Sequence, residues 1–388
     1  MVRPVLPVLM LLGALVAACR SSEPPTQRPG DAPPSPARDE VARDEAPGAG
    51  AGAKQAAGAR PETVPAVHRT KEDDPHLPVL VSFVGDCTLG SDYRSRHAEG
   101  SFHKAMDALG NDFSLPMAGV QDVLGTDDLT VANLETTLTK KARPASEGTF
   151  VFTGKPEYAQ ILKLGSVDVV TLANNHTYDF GSEGVEETTQ SLDAAGIAWF
   201  GAQKADIRSI RGLEIVNLGY VGGLDKVATR VRRDVEKHKR RDNVVIVSFH
   251  WGLEGSNAAL DDQKRLGHET IDAGADLVVG HHPHVIQGIE DYKGRKVVYS
   301  LGNFVFGGNG NPADKDAIIF QQAFAKAPDG KAGPVANTAR AVPVRISSRT
   351  DTNDFRPVVL TGAEKERVLA RLADYSRPLG PQQAGAKR

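Results

Sequence analysis

The chain has 388 residues, a formal net charge of −3 and two cysteines. That charge leaves no electrostatic footprint for nucleic acid, so no nucleic-acid partner is expected. Two cysteines cannot staple a chain of this length, so the fold must rest on a hydrophobic core.

Residues 1–18 carry one positive charge, at Arg3, and then an apolar run from Pro4 to Ala18. The run is short for a bilayer span and predicts a signal peptide. It ends in Val16-Ala17-Ala18-Cys19. Small residues before a cysteine resemble the bacterial lipobox, in which the cysteine thiol is lipidated and becomes the new N-terminus. The expectation is an exported protein, lipid-anchored to the bacterial cell envelope through Cys19, with the membrane as a partner. The plainer alternative is an ordinary signal peptide cut near Ala17-Ala18. Residues 19–77 are rich in Pro, Ala, Gly and charge and nearly devoid of large apolar side chains. They predict a disordered tether with a reach of roughly 40 Å. One folded domain is expected over residues 78–376, and a disordered tail over 377–388.

Within that domain, short apolar runs rich in β-branched residues predict strands at 79–85, 129–135, 167–175, 213–221, 243–251, 275–282 and 296–306. Helical patterns lie between several of them, at 156–165, 183–196 (Ser182 as N-cap) and 261–274. The basic run at 230–241 reads as a helix with Val231 and Val235 on its buried edge. Its charged side is either a plain solvated face or an attachment surface for an anionic polymer. After Phe306 come strand-like runs without helices, which predict an antiparallel or mixed edge, and then a helix at 363–375. The alternation predicts an α/β fold.

Polar residues of ligand type concentrate where the strands stop. They are Asp86, then Asn133 and Glu135, then Asn174, Asn175 and His176, then His250 with Glu254 behind it, then His281, His282 and His284, and last Asn303. Ligands bind beyond the carboxyl ends of strands in open α/β sheets. Each residue alone has a plain reading as a turn, a cap or a bonded core group. Together, imidazoles and carboxylates form the ligand set of Mn, Zn or Fe, as one or two divalent ions. Alternate residues of an extended segment face one side, so His282 and His284 are expected to point together, with Pro283 favouring the extended backbone.

The segments FVGDCTLG, VANLETTLT, FTGKPEYAQIL, TLANNHTYDFG, GIAWFGA, VSFHWGLE and DAGADLVVGHHPHVIQGIEDYKGRKVVYSLGNFVF resemble the bacterial capsule-synthesis protein CapA family, the poly-gamma-glutamate capsule proteins. The resemblance runs from about Val79 to Phe306. It implies a calcineurin-like metallophosphoesterase fold, an α-β-β-α arrangement in which a β-sandwich is flanked by helices. It also implies metal ligands at Asp86, Glu135 (bridging), Asn175, His250, His282 and His284, with His281 as a competing register. His176 would serve as the catalytic group, with Asp179 either orienting it or only opening the next helix. Asn133, Asn174, Asp179, Glu254, His281 and Asn303 are the residues expected to support the ligands or touch substrate. Two departures stand out. Classical phosphoesterases begin with Asp-x-His, whereas this chain has Asp86-Cys87-Thr88, and it carries Glu135 where they use a bridging aspartate. Cys87 reads as a small buried hydrophobe, or else as a substitute ligand.

The implied function is capsule polymer synthesis or export through a metal-dependent, phosphoesterase-type hydrolytic site. The expected partners are a phosphoester substrate or an anionic envelope polymer, and the capsule-synthesis machinery. The alternative is an accessory factor whose metal site binds polymer without cleaving it.

Overall fold

The structure, a computed structural model, describes residues 77–145 and 147–380 together with Asp74. The expected signal peptide, Cys19 and nearly all of the expected tether fall outside the described residues. Among those described, two large sheets organise the chain. The first has nine strands and the central order Val358–Val359, Arg340–Arg345, Asp316–Lys326, Val79–Thr88, Leu129–Leu134, Val169–Thr171, Ala198–Phe200. The second has six, in the order Ile289–Tyr292, Arg295–Val298, Leu277–His281, Asn243–His250, Leu213–Val221, Asp206–Ile210.

Alternation along the strands explains the layering. In Val79–Thr88, Val81 and Phe83 face one way and Val84 the other, and all are buried. Val81 and Phe83 join Val131, Ile318 and Phe320 in a cluster that also takes Ile215, Ile246, Leu277 and Val279 from the second sheet. Val84, Ala132 and Val170 instead pack against Met106, Ile161 and Leu192 of helices Phe102–Ala108, Ala159–Leu164 and Gly181–Ala195. On the far side, Val245, Val247 and Val278 meet Val227, Val231 and Val235 of helix Leu224–His238 and Leu266 of helix Asp261–Asp272. Both sheets are thus covered on both faces, which gives the expected α-β-β-α order and accounts for the nearly continuous apolar strands. Each of the Val, Leu, Ile, Met and Phe side chains among them contributes roughly 1.5–3 kcal/mol by leaving water.

Several expected boundaries move. The run 296–306 is not one strand: Arg295–Val298 pairs in the second sheet and Asn303–Phe306 in the first. The chain changes sheets at Leu301 and Gly302, where Leu301 bridges Ile286 and Gly302 adopts φ +76°. The strand expected at 167–175 is only Val169–Thr171, and the chain turns just beyond it, where Asn174 N donates to the Leu172 carbonyl at 3.1 Å. Ser182 does not cap a helix; that helix begins earlier, at Gly181, after Phe180. The antiparallel edge expected after Phe306 is present: Asp316–Lys326 runs antiparallel to Val79–Thr88, Arg340–Arg345 antiparallel to it, and Val358–Val359 closes that side of the sheet. The tail does not fray at 377: Arg377–Leu379 forms one more turn, with Leu379 buried against the second sheet's helix layer.

Cys87 follows Val84 into the outer layer of the first sheet and is fully buried there. Burial pushes its thiol up to about 12. The thiol is expected to resist iodoacetamide at pH 8 in the folded protein and to react fully after denaturation. Stoichiometric labelling of folded protein at position 87 would contradict this placement.

Candidate metal centre

The first and second sheets bring the carboxyl ends of their strands to one place. Asp86 pairs in register with Asn133 and with Asn303, after a register irregularity that separates it from Phe83. His250 and His281 are neighbours across the second sheet. Local irregularity re-aims a side chain at a strand end, and here it turns the Asp86 carboxylate into the gap between the sheets.

Asp86 and Glu135 are fully buried, and histidines surround them. His281 Nδ1 lies 3.3 Å from Asp86 Oδ1, and His284 Nδ1 lies 3.1 Å from Asp86 Oδ2. His250 Nε2 is 3.3 Å and His284 Nε2 3.8 Å from Glu135 Oε1. The His282 ring stands 4.6 Å from that of His250 and 5.9 Å from that of His284. Three groups have ligand atoms within 4.8 Å of one another: Glu135–His250–His282, Asp86–Glu135–His284 and Glu254–His282–His284. Glu135, His282 and His284 each belong to two of them.

The donor chemistry fits a cation. Both Glu135 oxygens, His250 Nε2, His281 Nδ1 and His282 Nδ1 are buried without a hydrogen-bond partner. Orphaned buried polar atoms are costly, and those of Glu135, His250 and His282, which form one of the three groups, suit one kind of occupant, a positive ion. Electrostatics agree. Burial opposes ionisation of Asp86, but the His281 and His284 rings beside it hold the carboxylate well below its usual range. Burial would depress His284, yet the carboxylates of Glu135 and Asp86 outweigh it and lift the ring to about 10. His282 is depressed, chiefly by burial and then by His250.

The histidine segment departs from the extended geometry expected of it. His282 has φ +96° and His284 φ +59°, on either side of Pro283. Positive φ costs a non-glycine residue about 1–3 kcal/mol and persists where the surroundings over-determine it. Three bonds hold it here. His282 N donates to Asp86 Oδ2 at 3.2 Å, Gly255 N donates to the Pro283 carbonyl at 2.8 Å, and Asn303 Nδ2 donates to the His284 carbonyl at 3.1 Å. Asn303 Oδ1 also sits 2.9 Å from His284 Nδ1, which directs the other ring nitrogen, Nε2, toward Glu135.

A chain of amides supports Asp86. Asn133 Nδ2 donates to Asp86 Oδ1 at 2.8 Å, and Asn174 Nδ2 donates to Asn133 Oδ1 at 3.0 Å. His176 N in turn donates to Asn174 Oδ1 at 3.1 Å. Asn174 is thus the buried member of the Asn-Asn pair, whereas Asn175, the expected ligand, is exposed. His176 Nδ1 is 2.8 Å from Asp179 Oδ2, which also accepts from Phe152 N. Asp179 precedes the helix and grips His176, so it does more than open that helix.

Two clefts flank the centre. One, of about 610 Å³, is bordered by His176, His284, Glu254, Asn303, Phe150 and Phe306. Phe150 is 52% exposed and stacks on Phe152, whose ring lies 4.2 Å from that of His176. No local pattern marks these aromatic residues as a cleft wall, because an aromatic residue beside a strand reads equally as core.

The region 80–308 matches the family model described as "Bacterial capsule synthesis protein PGA_cap". A protein of Bacillus subtilis (strain 168) called "PGA biosynthesis protein CapA" is 31% identical over 274 residues, covering 64% of this chain and 69% of that one. "Capsule biosynthesis protein CapA" of Bacillus anthracis is 28% identical over 285 residues, covering 66% and 65%. Among solved structures, a 5'-nucleotidase precursor from Thermus thermophilus aligns at 10% identity and TM-score 0.39, covering 78% of this chain and 59% of that one. The family match spans more than half of the chain and contains every strand end that meets at the centre, so this protein belongs to the bacterial capsule synthesis PGA_cap family.

Proposed function

We propose that the protein acts in the synthesis or export of a poly-γ-glutamate capsule polymer, through a metal-dependent hydrolytic site of the phosphoesterase type. The family and the names of its Bacillus relatives support the polymer. The observation that carries the hydrolytic reading is the group of buried, unpartnered donors on Glu135, His250, His281 and His282. Asp86, Glu135, His250, His282 and His284 would hold the cation. A divalent ion there supplies Lewis acidity toward an anionic group and lowers the pKa of a water to about 7.

The chain's own residues do the rest. Asn133 and Asn174 fix the Asp86 carboxylate from behind. The carbon framework of the two sheets excludes bulk water from the carboxylates, so their charge acts at low dielectric. Asp179 holds the His176 ring through Nδ1, leaving Nε2 as the nitrogen from which a proton passes to a leaving oxygen in the cleft.

The test is metal analysis of the purified protein followed by turnover of an activated phosphodiester with Mn or Zn. Stoichiometric metal and turnover, both lost in His282→Ala, support the reading; absence of bound metal ends it. Asp179→Asn is expected to slow turnover by about 10–100-fold with metal content unchanged, since it loosens only the orientation of His176. Equal loss of metal in that variant would place Asp179 in the ligand framework instead.

A second reading rests on the missing histidine of Asp-x-His, whose neighbour Cys87 is sealed in the core and offers no replacement. In that reading the centre binds polymer carboxylates without cleaving them, and metal binds without turnover. Attachment to the envelope through Cys19 is part of the proposal. Mass spectrometry of the membrane fraction is expected to find a diacylglyceryl group on Cys19; an N-terminus cut elsewhere, with Cys19 unmodified, would reject it.

A further inference from the structure

The second cleft beside the centre differs in charge from the first. It measures about 770 Å³ and is bordered by Asn174 at one end and by Lys204, Arg230, Arg233 and Lys237 along its length. Asp234 is the only carboxylate on its wall, so four positive charges face one negative, on a chain whose formal net charge is −3. The first cleft shows the opposite: Glu254 and Asp314 border it, and no Lys or Arg does.

The basic wall follows from how its helix is seated. Helix Leu224–His238 buries Leu224, Val227, Val231 and Val235 on the second sheet. That burial fixes Arg230, Arg233 and Lys237, spaced i, i+3, i+7, as one outward row about 10 Å long. Asp234 is already engaged by Arg233 at 2.9 Å and by the Tyr220 hydroxyl at 3.0 Å. Among the described residues, Lys204, Arg230 and Lys237 have no carboxylate partner. Aromatic faces hold two of them instead: Lys204 lies 3.5 Å above the Trp199 ring, and Arg230 lies 5.2 Å from the Tyr220 centroid. A stacked cation is oriented without being neutralised, which leaves its charge available to a ligand.

The cleft also borders the elements that carry the centre. Val221, on its wall, is the register partner of His250, and Asn174 bonds Asn133, which bonds Asp86. We infer that this basic cleft is the docking subsite of a linear polyanion carrying a carboxylate on each repeat, laid along Arg230, Arg233 and Lys237 with Lys204 opposite and leading over Asn174 to the metal centre. This rests on the proposed polymer function and adds where the polymer sits. The row of separated point charges matches a repeating carboxylate, whereas no Lys or Arg borders the cleft on the other side.

The experiment uses the full chain, labelled poly-γ-glutamate as probe, and the combined variant Arg230→Gln, Arg233→Gln, Lys237→Gln. The variant is expected to bind at least about tenfold more weakly, with a shallower salt dependence, and with metal content and turnover of a small activated phosphodiester unchanged. The corresponding Arg230→Lys, Arg233→Lys variant keeps the charge and is expected to bind within about threefold of wild type. His250→Ala is expected to lose metal yet still bind polymer, separating the cleft from the centre. Equal binding by wild type and the combined variant overturns the cleft assignment and leaves the polymer reading standing. No binding by wild type overturns both. Unchanged polymer binding with lost adsorption to anionic lipid vesicles overturns the assignment in favour of a membrane-facing helix.

Discussion

Replacing Glu135 by Gln is expected to empty the metal centre and to lower any turnover by more than about 100-fold, beyond the usual cost of disturbing a residue behind a ligand. Glu135 is fully buried, neither oxygen has a hydrogen-bond partner, and it belongs to two of the three ligand groups. The substitution preserves shape but exchanges one acceptor for an NH2 group, whose hydrogens point at a site built to receive a positive charge. It also removes the charge that, with Asp86, lifts the His284 ring. Fold should survive, because an amide of the same volume leaves the packing intact. Metal analysis beside a circular dichroism spectrum checks both halves. A folded Glu135→Gln protein with a full complement of metal would remove Glu135 from the centre, and with it the proposed bridge.

Replacing Gly85 by Ala is expected to unseat the centre without changing any ligand. A Cβ at position 85 would stand 2.0 Å from the Gly302 carbonyl oxygen and 3.0 Å from that of Asn303. Both are backbone atoms, so no side chain can swing aside. The same Gly302 oxygen accepts the Asp86 N–H at 3.1 Å. Relief of the clash must therefore pull Asp86 and Asn303 apart, the pair that fixes His284 from two sides. Overpacking of this kind costs about 1–3 kcal/mol and sometimes more. A midpoint lowered by roughly 2–5 °C is expected, together with loss of metal. Gly223→Ala, where an added Cβ meets nothing within 4 Å, is the control and should change neither. A Gly85→Ala protein with wild-type midpoint and metal content would show that the two strands are not held as close as described.

The residues of the centre were legible early because burying a strand on both faces forces ligand-type residues to its end. Asp86, Glu135, His250, His281, His282 and His284 all stand where an apolar run stops, and the structure brings them together. The shape of the histidine segment was not legible. Alternation and Pro283 argued for extended backbone, but the bonds from Asp86, Gly255 and Asn303 hold His282 and His284 at positive φ. All three partners are far away in sequence or belong to other strands. The Asn174–Asn175 pair failed in the same way, since neighbouring identical residues differ only in which side of a turn they occupy.

Residue order alone was enough for the α/β class, the layering through doubly buried strands, the inventory of ligand residues and the basic helix with its apolar edge. These follow from local periodicity and from chemistry that each residue carries wherever it lies. Only the assembled fold settles that the run at 296–306 divides between two sheets, that Cys87 turns into the core while Asp86 turns out of it, and that the basic helix and Asn174 share one cleft. Those outcomes depend on register and on contacts between segments far apart in the chain, and short-range pattern holds no information about which distant surface a given side chain will meet.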